Sequence, residues 1–455
     1  MRQLRKQLYL LIGDLFILAL ILIFLTQLFA YPTYLAKIPG RDYLFLAAIP
    51  LMWAIIIFLQ EGYSIAFPRQ YVKGLRMLGQ TAVLATLAVG FIVFILPGSP
   101  EFSRRVLLSY GVVAVALLFA WRMVFGLVVR VPVLRENVLV FGTGQLALAV
   151  AKILSPETQI SYFFEGFVAA SPDEVSNVSG RVILFREIGE MLRQKRIHLI
   201  ALAHDGALPS QQVRFLTVAR RRGIRVVRAQ DLYEELTGRF PVTWTSPAEM
   251  VFFEVQSRSF SRSVFERLTS FAVGLAGFIV SLPLWPFIIV GQQLTSPGPV
   301  FYVSTRVGRY GQPFWCIKFR SMVPNAEKDT GVTWTKKDDP RITKAGRWMR
   351  RTHLDELPQL LNVIFGHMNL IGPRAERPEF AEDLNEKIPF YEERFLTKPG
   401  ITGWAQVNNV FSSASLEDSK EKLEYDLYYI KNRTLVLDAL IVLETVKIML
   451  LGRGV

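Results

Sequence analysis

Long uninterrupted apolar runs fill the first quarter of the chain and then stop. Four of them, about Leu8 to Phe29, Tyr43 to Leu59, Met77 to Leu96 and Val106 to Val129, approach the ~20 helical residues needed to cross a hydrocarbon core of about 30 Å. They predict a four-helix transmembrane bundle over residues 1–133. Arg2, Arg5 and Lys6 precede the first run, and Arg69, Lys73 and Arg76 lie in the second loop. The positive-inside rule places both regions in the cytoplasm. The bias is modest, because Lys37 and Arg41 oppose Asp42 in the first outer loop and Arg104 and Arg105 occupy the next. Asp14 and Arg122 fall inside apolar runs near helix ends, a position from which charged side chains can snorkel. They are given no role.

Beyond Leu134 the pattern turns to short strand-like runs separated by helical stretches. Asn137-Val-Leu-Val-Phe-Gly-Thr-Gly-Gln-Leu-Ala147 reads as a strand followed by G-x-G-x-x-A, with Gly142, Gly144 and Ala147 at the fingerprint positions. Such a turn lets a backbone approach a phosphate at a helix start. Further strands at 160–168, 199–203 and 224–227 predict a doubly wound, Rossmann-like α/β module over residues 134–255. The fingerprint is weak, because Phe167-Val-Ala-Ala stands where an acidic residue would hold a ribose. A structural or regulatory fold and true dinucleotide binding both remain open. His204 and Asp205, at a strand end, are read as an ordinary loop pair.

A third region spans residues 256–455. Phe271 to Val290 is apolar yet contains Pro283 and Pro286, and each proline frees a backbone carbonyl that lipid cannot satisfy. Basic residues flank it on both sides: Arg258, Arg262 and Arg267 before, Arg306, Arg309, Lys318 and Arg320 after. This predicts a re-entrant membrane helix at about 264–292, kinked at Pro283. The competing reading, a fifth full crossing, would strand the later chemistry outside the cell.

That chemistry is densest between Arg341 and Pro378, where Asp355 and Glu356 lie among arginines ahead of a Gly-Pro-Arg turn. Proline suits the first turn of a helix, so a helix starting at Asp355 is expected, with Leu360, Leu361, Ile364 and Phe365 as its buried stripe. A Thr352 cap is the competing start. Neighbouring helical residues point roughly 100° apart, so one carboxylate can attack phosphorus while the other holds Mg²⁺. A solvated pair at a helix start is the plainer alternative. Lys318 and Arg320 alternate along a strand as a candidate phosphate clamp, and Arg374 can bridge two phosphate oxygens. Asp338, Asp339 and Arg341 lie in a polar turn. His353 reads as a bystander, and Trp404 suits either a headgroup layer or a core. Asp426 on its own is a helix surface charge. The apolar stretch from Leu435 to Leu451 predicts a helix on the core or at the interface.

Composition narrows the class. Of 455 residues, 51% are hydrophobic and 33 are Phe, too apolar for one soluble domain, and the formal charge is +14. The cations flank apolar segments and no nucleic-acid motif is visible, so the positive balance points to an anionic membrane face. Cys316 stands alone, which excludes an intrachain disulfide and fits a reducing compartment. The first apolar run lacks a small-residue cleavage site, so no cleaved signal peptide is expected.

K-F-R-S-M (318–322), D-D-P-R-I-T, L-D-E-L-P-Q-L-L-N-V, G-P-R, P-G-I-T-G-W-A-Q-V (399–407) and Y-D-L-Y-Y-I-K-N occur in this order over roughly Phe265 to Val455. This series resembles the bacterial sugar transferase family, the polyisoprenyl-phosphate hexose-1-phosphate (monotopic phosphoglycosyl) transferases. The whole chain resembles the long form of exopolysaccharide and exosortase-associated systems, with a membrane bundle and a CoA-binding-like Rossmann module in front. The resemblance implies transfer of a sugar 1-phosphate from a UDP-sugar to polyprenyl (undecaprenyl) phosphate, with release of UMP, as the first membrane step of a surface glycan. It implies Asp355 as nucleophile and Glu356 as the Mg²⁺ ligand. Lys318, Arg320, Arg341 and Arg374 would then meet phosphates, and Asp426 the sugar nucleotide or metal. The expected place is the bacterial inner membrane, multi-pass, with the catalytic domain on the cytoplasmic face against membrane lipid. Two departures are Ala375, where the family usually has proline, and Leu282 before Pro283, where it has serine; Ser281 is one residue off. A membrane-anchored nucleotide-sugar dehydratase would need a second fingerprint and a Tyr-x-x-x-Lys pair, and neither is present. A non-catalytic scaffold of an export complex is the third reading, against which the acidic pair and basic cluster count. The sugar and the oligomeric state stay open, a homodimer among the options.

Overall fold

A computed structural model describes the chain except residues 1, 30–39, 61, 64–70, 96–103, 131–135, 156–161, 173, 175–179, 190–196, 205, 207, 254–259, 329–330, 332, 335–338, 409–414 and 451–455; side chains of 2–7, 29, 40–46, 71–73, 92–95, 104–108, 128–130, 260–263, 265 and 450 are likewise outside the description. Asp205, Asp338, Lys37, Arg69 and Arg258 thus lie outside the described residues, as do the side chains of the other loop cations at Arg41, Lys73, Arg104, Arg105 and Arg262. The rest forms two compact units, Met1–Val227 and Arg228–Val455.

The first unit opens with α1 (Arg2–Phe29), α2 (Gly40–Leu59), α3 (Tyr71–Ile95) and α4 (Arg104–Arg130). Leu8–Leu28, Gly74–Phe91 and Ser109–Leu127 are long and apolar enough to cross a membrane, and α2 adds the shorter Ala47–Leu59. Leu18, Ile57, Leu78, Ala114 and Leu118 pack inside, whereas Phe16, Phe24, Leu87 and Val112 point outward, as lipid-facing residues do. Asp14 and Arg122 do not snorkel. They form an ion pair between α1 and α4, both sealed from solvent. Arg122 also donates to the Gly62 carbonyl at 2.5 Å and lies 5.3 Å from the centre of the Tyr63 ring. One guanidinium thus ties two helices to the turn after α2.

The α/β module follows in the same unit: β1 (Glu136–Phe141), α5 (Gln145–Ile153), β2 (Tyr162–Ala169), β3 (Val182–Leu184), β4 (Leu199–Leu202), α6 (Ser210–Arg221) and β5 (Arg225–Arg228). The sheet runs β3-β2-β1-β4-β5, with β1 parallel to both neighbours. Val138 to Phe141 are fully buried at its centre, which is why this strand reads as a continuous apolar run. Gly142 has φ +122, and a Cβ there would lie 2.2 Å from the Ala203 carbonyl oxygen, so only glycine fits. Gly144 caps α5 and Ala147 is buried beneath it.

The second unit begins with α7 (Ala229–Thr237) and α8 (Pro247–Val251). Residues 229–253, grouped with the α/β module in the sequence reading, are built into this unit. Phe240, Val242 and Met250 share a core with Leu423, Leu427 and Ile441. Trp404 donates its indole N–H to the Gly238 carbonyl at 2.9 Å, Lys431 reaches Glu234 at 2.7 Å, and the Phe240 amide donates to the Glu424 carbonyl at 2.8 Å. Trp404 is therefore a core residue of this unit.

Next come α9 (Phe260–Ser281) and α10 (Trp285–Thr295), separated by a 3₁₀ turn at Leu282–Leu284. The break falls at Pro283, as expected of a residue that lacks an N–H. The Ser281 hydroxyl donates to the Phe278 carbonyl at 2.8 Å and accepts from the Trp285 indole at 3.2 Å, so this serine supports the break although it is not adjacent to the proline. An antiparallel hairpin, β6 (Phe301–Val307) and β7 (Pro313–Phe319), follows. Then come α11 (Lys344–Arg351), α12 (Gln359–Phe365), β8 (Asn369–Ile371), α13 (Pro378–Lys387), β9 (Gly400–Thr402), α14 (Trp404–Val407), α15 (Leu416–Asn432) and α16 (Leu435–Leu450). Cys316 is buried on β7, and burial pushes its thiol above the usual range. Leu437 and Ile441 bury one side of α16 while Val436, Leu443 and Val446 stay exposed.

Two expectations follow. Removing one partner of a buried ion pair leaves the other uncompensated, at a cost of about 3–5 kcal/mol. Asp14→Ala or Arg122→Ala should each lower the unfolding midpoint in detergent more than the double variant does. The second concerns Glu424, whose carboxyl is raised to about 7 by burial and by Glu421, against Arg239 and Lys420. A raised acid favours the folded state at low pH, so stability should decline as pH rises from about 4.5 through 7 and then level off. Glu424→Gln should flatten that decline, read as unfolding midpoint against pH.

Candidate active site

Helix α11 starts at Thr343, whose hydroxyl accepts from the Gly346 amide at 2.9 Å. It ends at Thr352, and His353, at φ 55, turns the chain out of the helix. Leu354–Glu356 form a single 3₁₀ turn, and Pro358 becomes the N-cap of α12. The acidic pair therefore precedes the helix instead of opening it: the left-handed His353 breaks α11, and the proline marks where regular α structure can start.

The buried face of α12 also differs from the expected apolar stripe. Gln359, Asn362 and Val363 are buried, whereas Phe365 is exposed. The reason is a polar docking contact. The Asn362 side chain accepts from the Ile317 amide at 3.1 Å and donates to the Trp315 carbonyl at 2.6 Å, which pins α12 to β7 beside Lys318. Val363 and Leu360 lie against Gly274 and Gly277 of α9. The far end of α12 is capped by Arg267, which donates to the Val363 and Ile364 carbonyls at 2.6 Å each, and by Lys398, which donates to the Gly366 carbonyl at 2.6 Å.

This scaffold brings four of the expected residues together, Asp355, Glu356, Lys318 and Arg374. Glu356 Oε1 accepts from Lys318 Nζ at 2.7 Å and from the Arg374 guanidinium at 2.8 Å. Burial alone would raise the Glu356 carboxyl, but Arg374 and Lys318 outweigh it and hold it well below the carboxylate range. Asp355 goes the other way. It is buried and beside the Glu356 charge, and both raise it, while Lys318, Arg350 and Arg374 act against the rise. Among the described residues no side chain hydrogen-bonds to the Asp355 carboxylate. Arg350 was not singled out from the sequence, where it is one of several arginines in R-W-M-R-R; only its buried side of α11 distinguishes it.

Arg374 is fixed through its backbone. The Gly400 amide donates to the Pro373 carbonyl at 2.9 Å, Arg394 to the Arg374 carbonyl at 3.3 Å, Arg306 to the Ala375 carbonyl at 3.1 Å, and the Val307 amide to the Glu376 carbonyl at 2.8 Å. Behind this turn Arg394 bonds Asp426 at 2.6 Å and the Tyr391 hydroxyl at 2.5 Å, and Lys422 pairs with Glu376. Asp426 is thus buried under the turn, in contact with a cation of the protein. Burial opposes ionisation of Glu376, yet Lys422 and Arg394 hold its carboxyl down to about 2.

Two further expected residues lie elsewhere. Arg320 donates to the Ser296 and Pro299 carbonyls at 2.6 and 2.5 Å and to the Ser296 hydroxyl at 2.9 Å, so it locks the Ser-Pro-Gly-Pro turn. β7 ends at Phe319, so the strand alternation that would align Arg320 with Lys318 is lost there. Arg341 makes a two-pronged pair with Asp339 at 2.9 and 2.7 Å and also reaches Thr333.

No group of three His, Cys, Asp or Glu side chains clusters as for a metal ion among the described residues. One or two carboxylates suffice for Mg²⁺ when substrate phosphates complete the shell. The Glu356 oxygen not used by Lys318 and Arg374 has the chemistry of such a carboxylate donor.

The profile described as "Bacterial sugar transferase" matches residues 261–452, and one described as "CoA-binding domain" matches 59–212. An "Exopolysaccharide production protein PSS" from Rhizobium leguminosarum bv. phaseoli is 36% identical over 187 residues, 40% of this chain and 94% of that protein. The chain belongs to the bacterial sugar transferase family. Another member, the "UDP-N-acetylgalactosamine-undecaprenyl-phosphate N-acetylgalactosaminephosphotransferase" of Aeromonas hydrophila, is 35% identical over 260 residues, 56% of this chain and 59% of its own length. A "UDP-glucose:undecaprenyl-phosphate glucose-1-phosphate transferase" of Xanthomonas campestris pv. campestris is 40% identical over 176 residues, 38% of this chain and 36% of its own. These alignments span little more than half and about a third of those two relatives.

Within this bacterial sugar transferase, Asn362 should matter for stability as well as for the site. Asn362→Ala removes the side-chain partners of the Ile317 amide and the Trp315 carbonyl, at about 1–3 kcal/mol for each group left unsatisfied. A thermal-unfolding midpoint well below that of the unmodified protein is the expected result.

Proposed function

We propose that this protein transfers a sugar 1-phosphate from a UDP-sugar to polyprenyl (undecaprenyl) phosphate, releasing UMP, through a phosphosugar ester on Asp355. The observation that carries this reading is the unequal treatment of two consecutive carboxylates. Glu356 is clamped by Lys318 and Arg374, while Asp355 sits beside it with no side-chain hydrogen bond from any described residue and a raised affinity for protons. A more basic carboxylate is a better nucleophile.

In the first step an Asp355 oxygen attacks the β-phosphorus of the donor. The bond from that phosphorus to the bridging oxygen breaks, and its electron pair leaves with UMP. In the second step an oxygen of polyprenyl phosphate attacks the same phosphorus. Asp355 departs as a free carboxylate, and the product is a polyprenyl-diphosphate sugar. Both steps bring anions together, so Lys318, Arg350 and Arg374 serve as fixed charge around the phosphoryl group. Mg²⁺, held through Glu356 and the donor phosphates, would add neutralising charge when bound. Arg394, Asp426 and Glu376 keep the Arg374 turn in place.

The acceptor is a lipid, so the site must face a membrane. α9 and α10 form part of a 30-residue apolar stretch, Glu266–Thr295, yet both flanks bond into the same unit. Arg267 on α9 reaches α12, and Gln292 on α10 donates to the Val300 and Arg320 carbonyls at 3.1 and 2.6 Å. That arrangement supports a helix that enters the inner leaflet and returns, leaving Asp355 on the cytoplasmic face of the bacterial inner membrane, where UDP-sugars are made. The relatives' names put UDP-N-acetylgalactosamine and UDP-glucose first in a donor screen.

Full-length protein in nanodiscs, given radiolabelled UDP-sugar and Mg²⁺, should release UMP and retain label on the protein when acceptor is withheld. Asp355→Asn should retain none, and Arg374→Ala should turn over about 10²–10³-fold more slowly, the usual loss for one preorganised charge. Label that persists on Asp355→Asn, or no UMP from any UDP-sugar, would overturn the proposal.

A further inference from the structure

Helix α11 contributes Arg350 to the site, and its opposite side has no part in that chemistry. Lys344, Arg347, Trp348 and Arg351 occupy positions i, i+3, i+4 and i+7, which is one face of a helix, and all four are exposed. Trp348 is 55% exposed. Among the described residues no carboxylate pairs with any of the three cations. The inner side of the helix is fixed. Met349 is buried with Ile288 of α10 and Phe319 of β7, and Gly346 abuts the Ser321 carbonyl so closely that no Cβ fits.

The neighbour of α11 decides what this stripe meets. α10 belongs to the apolar stretch Glu266–Thr295 and exposes Phe287, Val290 and Leu294. A basic helix packed on such an element, with an indole turned outward, has the composition of a membrane-surface helix. Tryptophan favours the headgroup level. Lys and Arg keep their charges in the polar layer and gain about fivefold in binding per residue next to an anionic surface. A solvated stripe of mixed sign would serve a water-facing helix; this one carries a single sign and a large aromatic ring.

We propose that the Lys344–Arg347–Trp348–Arg351 face docks on anionic phospholipid headgroups. Its seat on α10 sets the depth of the helix, and Arg350, on the same turn as Arg351 but facing inward, then lies just above the headgroup phosphates. The charge that attracts acidic lipid and the charge that stabilises the reacting phosphate are thus carried on two sides of one short helix.

The inference rests on the reading that α9 and α10 lie in the membrane, and the test separates the two. Full-length protein is placed in nanodiscs of neutral phosphatidylcholine, or of phosphatidylcholine with phosphatidylglycerol, each brominated near the headgroup. The Trp348 signal is the quenching of the unmodified protein minus that of Trp348→Phe. It should rise with phosphatidylglycerol, be lost at high salt, and be absent in the triple variant Lys344→Gln, Arg347→Gln, Arg351→Gln. A Phe287→Trp reporter should be quenched in both lipids. If that reporter is quenched but the Trp348 signal is absent, or is indifferent to lipid charge and salt, the docking proposal fails alone. An unquenched Phe287→Trp sinks the membrane reading with it. UMP release from the same nanodiscs scores the catalytic proposal independently, and salt titration of the unmodified protein keeps the test valid should the triple variant misfold.

Discussion

Two carboxylates on consecutive residues, both nearly removed from water, cannot both stay ionised without cations at hand. The structure meets this constraint asymmetrically. An ammonium and a guanidinium are given to Glu356, while Asp355 feels the same groups and Arg350 through space, with no hydrogen bond from a described side chain. Much of the second unit can be read as machinery for holding that imbalance. β7 presents Lys318, the turn after β8 presents Arg374, and α11 presents Arg350.

Each of these supports is itself held by main-chain contacts. Asn362 joins α12 to β7, Arg267 joins it to α9, and Arg394 and Arg306 grip the carbonyls of the Arg374 turn. A buried cluster of Glu376, Lys422, Arg394 and Asp426 is costly to desolvate, and its placement directly behind a single turn fits a role in fixing position more than in stability. The apolar α9–α10 pair and the acidic pair share α12 as a common neighbour, so the two are coupled through one short helix.

The sequence made the broad plan legible because hydropathy and motif order are local signals. Apolar runs marked the helices of the bundle, β1 stood out as a continuous run, and Pro283 announced the break where it occurs. Lys318, Glu356 and Arg374 were legible through their motifs. What escaped depended on partners distant in the chain. Asp14 and Arg122 lie 108 positions apart, and neither run hints that they pair. Asp426 looked available because Arg394 is out of sight in a one-dimensional reading. Arg320 looked aligned with Lys318 because the strand was expected to continue one residue past its end. β3, three residues long, is too short to show a period. Asn362 was hidden for a related reason: a polar residue on a helix is taken to face water, and here it faces a strand edge.

Cys316 has a practical consequence. The chain's sole thiol is enclosed on β7 and made less acidic by burial, so alkylating reagents will find little to react with. A cysteine introduced at any exposed position can therefore carry a spin label or fluorophore almost alone, without first engineering the native residue away. A protein in which depth, distance and orientation at a bilayer are the open measurements arrives with a nearly silent background for making them.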